Sequence, residues 1–217
     1  MSLILHIETA TKICSVALSE NGILLNELTE VGDGFIHGER LTILIQKVIG
    51  KAGKKITSLS AISVSNGPGS YTGLRIGLST AKGIAFALNC PIINLNTLEI
   101  MVSTVQNEQK VFAMLDARRM EVYAYGLNEM KEEIFATAPI ILDSSSLSDF
   151  DPFLCIGNGA LKVKEIWKHR NIEFREDFQV SSAMQVEMAY KRFCNKEFAN
   201  PASLTPNYLK EFQFTSK

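Results

Sequence analysis

Metal-ligand spacing is missing from this chain. Its four cysteines, Cys14, Cys90, Cys155 and Cys194, lie far apart with no CxxC pair, and only His6, His37 and His169 stand beside them. A zinc-ligand set is therefore not expected, and the thiols read as buried and reduced. Charge of one sign is missing too: 22 Lys and Arg face 23 Asp and Glu, for a net charge of -1. That balance excludes a global basic field for holding a polyanion and a polybasic membrane anchor, so any nucleic acid would be met through a local patch or a partner. Apolar runs of membrane-span length are missing, and the opening MSLILHIETA meets an acid at Glu8 without a basic leader. The expectation is a cytoplasmic protein without membrane contact, its thiols kept reduced.

What is present suits a folded body. Apolar types make up 46% of 217 residues and charged types 21%, enough for a sizeable core and too apolar for a chain disordered throughout. The length favours two lobes, read here as residues 1–107, an N-terminal lobe, and 108–217, a C-terminal lobe with tail. Leu3 to Ile7, Ile13 to Leu18 and Ile23 to Leu28 are strand-like, with Asn21-Gly22 as a hairpin turn. From His37 the pattern becomes helical, placing Leu41, Leu44, Ile45 and Val48 on one face until Gly50 and Gly53. Leu59 to Ser65 reads as a buried strand, followed by a helix to Leu88 that Ser70 or Thr72 caps, a short strand at Pro91 to Asn94, and a helix at Thr97 to Val105.

The second half roughly repeats that order. Val111 to Ala117 and Glu121 to Leu127 form a hairpin, Ala138 to Leu142 a third strand, Ser145 to Phe150 a short helix, Phe153 to Ile156 a buried strand and Ala160 to His169 a helix. Ser182-Ala-Met-Gln185 has the form of a capping box opening one more helix. The alternation predicts an α/β protein with mixed sheets and packed helices.

Few residues carry chemistry. Gly67-Pro-Gly-Ser-Tyr-Thr-Gly73 lies between strand and helix, where free N–H groups can receive an anion, but it lacks the lysine of a P-loop; Gly67, Gly69 and Ser70 therefore stand as phosphate contacts or as plain turn residues. Gly73, Gly77, Ala81 and Ala85 recur at every fourth position, a stripe that lets another helix or the sheet approach closely. Protein–protein contact and packing inside the chain both fit. Glu8 has no second acid near it in sequence and makes a weak catalytic case at the end of what reads as an edge turn. His37 has no partner at a metal-ligand offset. Asp116, Arg118, Arg119 and Glu121 sit on a hairpin tip, and Gly157-Asn158-Gly159 is either a tight corner or a nucleotide-contacting turn.

Ile7-Glu8-Thr9-Ala10 with Cys14-Ser-Val-Ala-Leu18, the segment Gly67-Pro-Gly-Ser-Tyr-Thr-Gly-Leu-Arg-Ile-Gly77, Asp116-Ala-Arg118 with Glu121-Val-Tyr123, and Pro206-Asn-Tyr208-Leu209 resemble the bacterial TsaB (YeaZ) family. The match runs from the first strand to the tail. The resemblance implies an actin-like/Hsp70-like ATPase fold (ASKHA, ribonuclease H-like) of two similar lobes and a role in making threonylcarbamoyladenosine on tRNA. It further implies a non-catalytic subunit that activates a TsaD-like transferase, with a TsaE-like ATPase joining and a homodimer when alone. A metal-dependent peptidase or an ATPase of the same fold is the alternative. No metal and no cofactor of its own are implied, and whether ATP or ADP sits at the junction with TsaD is left open. The partner surface is expected on the N-lobe helices, at His37, Leu41, Leu44, Ile45, Val48, Gly73, Gly77, Ala81 and Ala85. Glu8-Thr9-Ala10 departs from the Asp-x-Gly turn of active relatives, and only His37 stands where the transferase has a metal-binding histidine pair.

Overall fold

The computed structural model describes residues 2–32, 36–106 and 109–210. The chain divides into two compact units, Met1–Thr104 with Gln179–Pro206, and Val105–Phe178 with Asn207–Lys217. The expected boundary at 107 and 108 falls outside the described residues. Assigning everything after it to the second lobe needs correction, because Gln179–Pro206 returns to the first unit.

In the first unit, β1 (Leu3–Glu8), β2 (Ile13–Glu20) and β3 (Ile23–Val31) form an antiparallel meander, and β4 (Ala61–Ser65) and β5 (Ile92–Leu95) extend it in parallel, in the order β3-β2-β1-β4-β5. Asn21 and Gly22 turn the β2–β3 hairpin with φ of 52° and 78°, as its tight loop demands. β1 is the central strand and is buried along its whole length. Its two faces differ in chemistry. Leu3, Leu5 and Ile7 join Val16, Leu18, Ile62 and Val64 in the core under α1 (Ile36–Lys51) and α2 (Tyr71–Leu88). Ile4, His6 and Glu8 point the other way, opposite Ser19, Ala17 and Ser15 of β2, with Ser63 beside His6 on β4.

The two long helices follow from their apolar stripes. Leu41, Leu44, Ile45, Val48 and Ile49 of α1 are buried, each contributing about 1.5–3 kcal/mol by leaving water. Ser70 caps α2, its Oγ accepting from Gly73 N at 3.2 Å, and Asn89 ends it in the left-handed region. A shorter helix, α3 (Thr97–Ser103), is capped by Asn96, whose Oδ1 accepts from Leu98 N and Glu99 N.

The second unit repeats the sheet. β6 (Val111–Asp116), β7 (Glu121–Leu127) and β8 (Glu133–Ile141) are antiparallel, β9 (Phe153–Ile156) and β10 (Ile172–Arg175) parallel, in the order β10-β9-β6-β7-β8. Pro139 is tolerated because β8 is an edge strand. Helix α4 (Ala160–Ile166) stops three residues short of the expected His169, the stretch Ser145 to Phe150 contains only a single 3-10 turn at Ser148–Phe150, and β10 was not expected from its four residues of alternating charge. The core gathers Phe112, Phe153 and Trp167, and the indole N–H of Trp167 donates to Asp143 O at 2.7 Å.

The residues expected to meet a partner are largely inside the first unit. His37, Leu41, Leu44, Ile45, Val48, Gly73, Gly77, Ala81 and Ala85 are all buried, so the assignment of these side chains to an exposed surface is corrected. A Cβ on Gly73 would collide with the backbone carbonyl of Thr9, and one on Gly77 with the Thr9 hydroxyl. Close approach to the loop after β1 is thus why glycine is required there. Gly83, by contrast, has nothing within 4 Å of a Cβ. Gly73→Ala is therefore expected to lower stability by about 1–3 kcal/mol through overpacking, and Gly83→Ala to raise it by about 1 kcal/mol through helix propensity. Urea unfolding midpoints of the two variants check both signs.

Candidate functional site

The polar face of the first sheet is closed by the returning segment. Ser182–Gln185 makes a 3-10 turn that leads into α5 (Val186–Cys194), and Tyr190 of α5 lies flat where a side chain on Gly22 would be. The expected capping box does not form. Ser182 and Gln185 instead spend their side chains on the sheet: Ser182 Oγ donates to Glu27 Oε1 at 3.0 Å, and Gln185 Oε1 accepts from Ser63 Oγ at 2.7 Å. Gln185 Nε2 donates to Ile7 O at 2.9 Å and reaches Glu8 Oε2 at 3.4 Å. Glu27 Oε1 also accepts from Ala183 N at 2.7 Å and from Ser15 Oγ at 2.8 Å.

Glu8 is fully buried on the central strand, which corrects the expectation of an edge turn. Its Oε1 accepts from Ala10 N at 2.8 Å and Ser65 Oγ at 2.7 Å. Burial pushes its pKa up, and the donors from Ala10, Ser65, Gln185 and Thr9 pull against that rise. Two residues earlier, His6 Nε2 is 2.7 Å from Ser19 Oγ, and burial alone pushes its pKa down to about 3. A neutral imidazole therefore stands beside a carboxyl group reluctant to ionise. Both side-chain oxygens of Glu8 are thus met by internal donors.

The glycine-rich turn is closed in the same way. Ser70 N donates to Ala10 O at 2.6 Å, Thr97 N donates to Gly67 O at 2.9 Å, and a Cβ on Gly69 would overlap Ala10 O. The donor that an anion would use at Ser70 is already occupied by the chain itself, and Gly67 and Gly69 serve the turn. His37 is buried with Nε2 3.1 Å from Ile13 O, which ties the start of α1 to β2. Among the described residues no group of three or more His, Cys, Asp or Glu side chains could hold a metal ion.

In the second unit the tip between β6 and β7 is likewise tied up locally. Asp116 Oδ1 accepts from Arg118 N at 2.6 Å and Lys162 Nζ at 2.5 Å, and Asp116 N donates to Asn158 Oδ1 at 3.0 Å. Arg118 and Arg119 both lie in the left-handed region, at φ of 64° and 49°, in the loop Arg118–Met120 that Ala117 N closes by donating to Glu121 O at 3.1 Å. Gly159 is a tight corner, since a Cβ there would press on the Met114 backbone at 2.9 Å. From the tail, Lys210 Nζ pairs with Glu121 Oε2 at 2.5 Å.

What sequence reasoning missed was the role of Ser182 and Gln185. The one available signal was the polar alternation of His6 and Glu8, Ser15 and Ser19, and Ser63 and Ser65, which marks a sheet face needing polar cover. The buried pair has a pH signature. His6 carries a lowered folded pKa, so its contribution is complete above its ordinary value of 6.5 and is lost as pH falls from there toward 3. Glu8 carries a raised folded pKa, so its effect has the opposite sign, and stability declines as pH rises above 4.5 through the folded value. His6→Gln should then flatten the fall in urea midpoint between neutral pH and pH 4.5, and Glu8→Gln should steepen it.

Comparison with known proteins agrees with this geometry. A family model described as TsaD, tRNA N6-adenosine threonylcarbamoyltransferase, matches residues 36–205. The tRNA threonylcarbamoyladenosine biosynthesis protein TsaB of Escherichia coli is 37% identical over 123 residues, which spans 55% of this chain and only about half, 52%, of that relative. Its counterpart from Buchnera aphidicola subsp. Baizongia pistaciae is 30% identical over 223 residues, 96% of this chain and 98% of the relative. Among solved structures, YeaZ from Pseudomonas aeruginosa superposes with a TM-score of 0.82 at 26% identity, covering 96% of this chain and all of that one. The component A of (R)-2-hydroxyglutaryl-CoA dehydratase from Acidaminococcus fermentans, at a TM-score of 0.54, 10% identity and 89% and 100% coverage, shares the fold alone. With its repeated five-stranded sheets the fold is the duplicated actin-like ATPase architecture, and the chain belongs to the TsaB (YeaZ) family.

Proposed function

We propose that this chain takes part in making threonylcarbamoyladenosine on tRNA as a non-catalytic subunit, binding and activating a TsaD-like transferase that a TsaE-like ATPase joins. The observation carrying this reading is that the groups best placed for chemistry are consumed inside the fold. Glu8 is bound by Ala10, Ser65 and Gln185, His37 by Ile13, and the turn at Gly67–Ser70 by Ala10 and Thr97. Nucleotide at the junction is then held from the transferase side. No helix among the described residues is long and apolar enough to cross a membrane, which suits work in the cytoplasm on a soluble RNA.

The partner surface moves to the outward faces of the same helices. Phe86 on α2 is 91% exposed, and Tyr71 at its start and Ile43 on α1 are part-exposed at 40% and 38%. A phenylalanine held open to water on a helix is an anchor awaiting a pocket, and the helix beside it is kept slim by Gly83. The same surface pairs two copies when the transferase is absent.

Reconstitution tests the reading. Mixed with a TsaD-like transferase, a TsaE-like ATPase, ATP, tRNA and the threonylcarbamoyl donor, this chain should be required for modified tRNA, and alone it should neither modify tRNA nor turn over ATP. Turnover by the isolated chain, lost on Glu8→Ala, contradicts the proposal. Phe86→Glu should keep the melting temperature while weakening transferase capture by about tenfold or more, the loss of one interface anchor.

A further inference from the structure

β3 ends its sheet, and among the described residues no strand pairs with its outer side. Free edges of this kind are usually blunted by lysine, proline or a short length. The nine residues of β3, ILLNELTEV, contain neither lysine nor proline; Leu25 is a one-residue bulge of this strand, where Leu18 faces Asn26 and Ser19 faces Leu24, and the edge from Asn26 to Val31 is regular. Ile23, Leu24 and Leu25 in succession are 69%, 43% and 39% exposed. Farther along, α1 runs beside the strand and leaves a trough of ~480 Å³ lined by Leu28, Thr29, Glu30, Leu44, Lys47 and Lys51, with Gly50 on its wall. A Cβ on Gly50 would meet nothing within 4 Å, so that wall stays open.

The charges in the trough are unbalanced. Glu30 answers Arg40, its Oε2 2.6 Å from Arg40 Nε. Lys47 and Lys51 have no ion pair among the described residues. They are one helical turn apart, a rise of about 6 Å, close to the ~6.7 Å between alternate residues of a strand. Two acids at positions i and i+2 of an added strand therefore reach both lysines from one face.

We propose that the outer edge of β3 and this trough dock an extended acidic segment of a partner protein, added as a sixth strand with acids over Lys47 and Lys51 and apolar contact at Ile23 to Leu25. Main-chain hydrogen bonds along the edge give such a contact its affinity and the alternate side chains its selectivity. A second copy of this chain fits less well, because the acids its own β3 would bring are spent: Glu27 on Ser182 and Ala183, and Glu30 on Arg40. Single-stranded RNA would answer the lysines but has no use for a strand edge or for three exposed aliphatic residues. This site adjoins the outward helix surface assigned to the transferase, since Ile43 stands one turn before Lys47 on α1; Phe86→Glu on α2 tests that surface and the lysine variants test this one, so the two assignments can be told apart.

The test is an NMR titration of the labelled full chain with a synthetic peptide as long as β3 that alternates Glu and Val, beside its Lys/Val counterpart and oligouridine. Saturable shifts confined to Ile23–Val31 and the α1 stripe are expected with the Glu/Val peptide only. Lys47→Glu/Lys51→Glu should weaken that peptide by about tenfold or more and gain the Lys/Val peptide, as reversal of complementary charge requires. Lys47→Gln/Lys51→Gln should show an intermediate loss and guards against any effect of reversal on folding. No saturation up to about 1 mM, the weakest affinity that counts as specific here, overturns the proposal. So does equal binding after charge reversal, preference for oligouridine, or edge shifts that follow protein concentration alone, which would give the edge to a second copy.

Discussion

The first sheet has a polar face that must be buried, and the matching polar segment comes from the far end of the chain. His6, Glu8, Ser15, Ser19, Ser63 and Ser65 are all fully buried, where each unpartnered group would cost about 1–3 kcal/mol. An apolar helix laid over them would leave that cost standing. Ser182 and Gln185 remove part of it, with bonds to Ser15, Glu27, Ser63, Glu8 and the carbonyl of Ile7, while His6 pairs with Ser19 and Ser65 with Glu8 inside the sheet. The first unit is therefore closed only when residue 185 has reached residue 8, and its two stretches of chain behave as one body.

That closure also shapes the surface. Glu8 holds Ala10 N, Ala10 O holds Ser70 N, and Ser70 Oγ caps α2. A continuous run of hydrogen bonds thus leads from the returning segment to the helix that carries Phe86. The loop after β1 and the turn before α2 are thus tied to each other by the chain's own hydrogen bonds. Polar groups turned inward in this way support the proposed reading of the chain as a subunit that presents surfaces.

Much of this was legible in the residues. Period-2 and period-3.6 patterns placed β1 to β3, α1 and α2, and Asn21-Gly22 fixed the β2–β3 hairpin, because those elements are decided by local contacts. The second half was legible as a repeat in order, which the two five-stranded sheets reproduce. The small-residue stripe was read correctly as a close approach, but composition does not say what approaches, and Thr9 proved to be the neighbour. Ser182-Ala-Met-Gln185 misled because a capping box and a pair of long-range hydrogen bonds need the same residue types. β10 escaped because a four-residue strand carries too little pattern to stand apart from its flanks. Glu8 was undervalued since a lone acid shows its importance only when its three-dimensional neighbours are known.

The most direct measurement is a double-mutant cycle across the closure, comparing Ser63→Ala, Gln185→Leu and the double variant in urea unfolding of the full chain. These side chains meet at 2.7 Å over 122 residues of sequence. If the polar closure holds the unit together, each single change leaves a buried partner unsatisfied, and the double variant loses less than the sum by about 1 kcal/mol or more. Strict additivity, with no coupling between Ser63 and Gln185, would contradict the account.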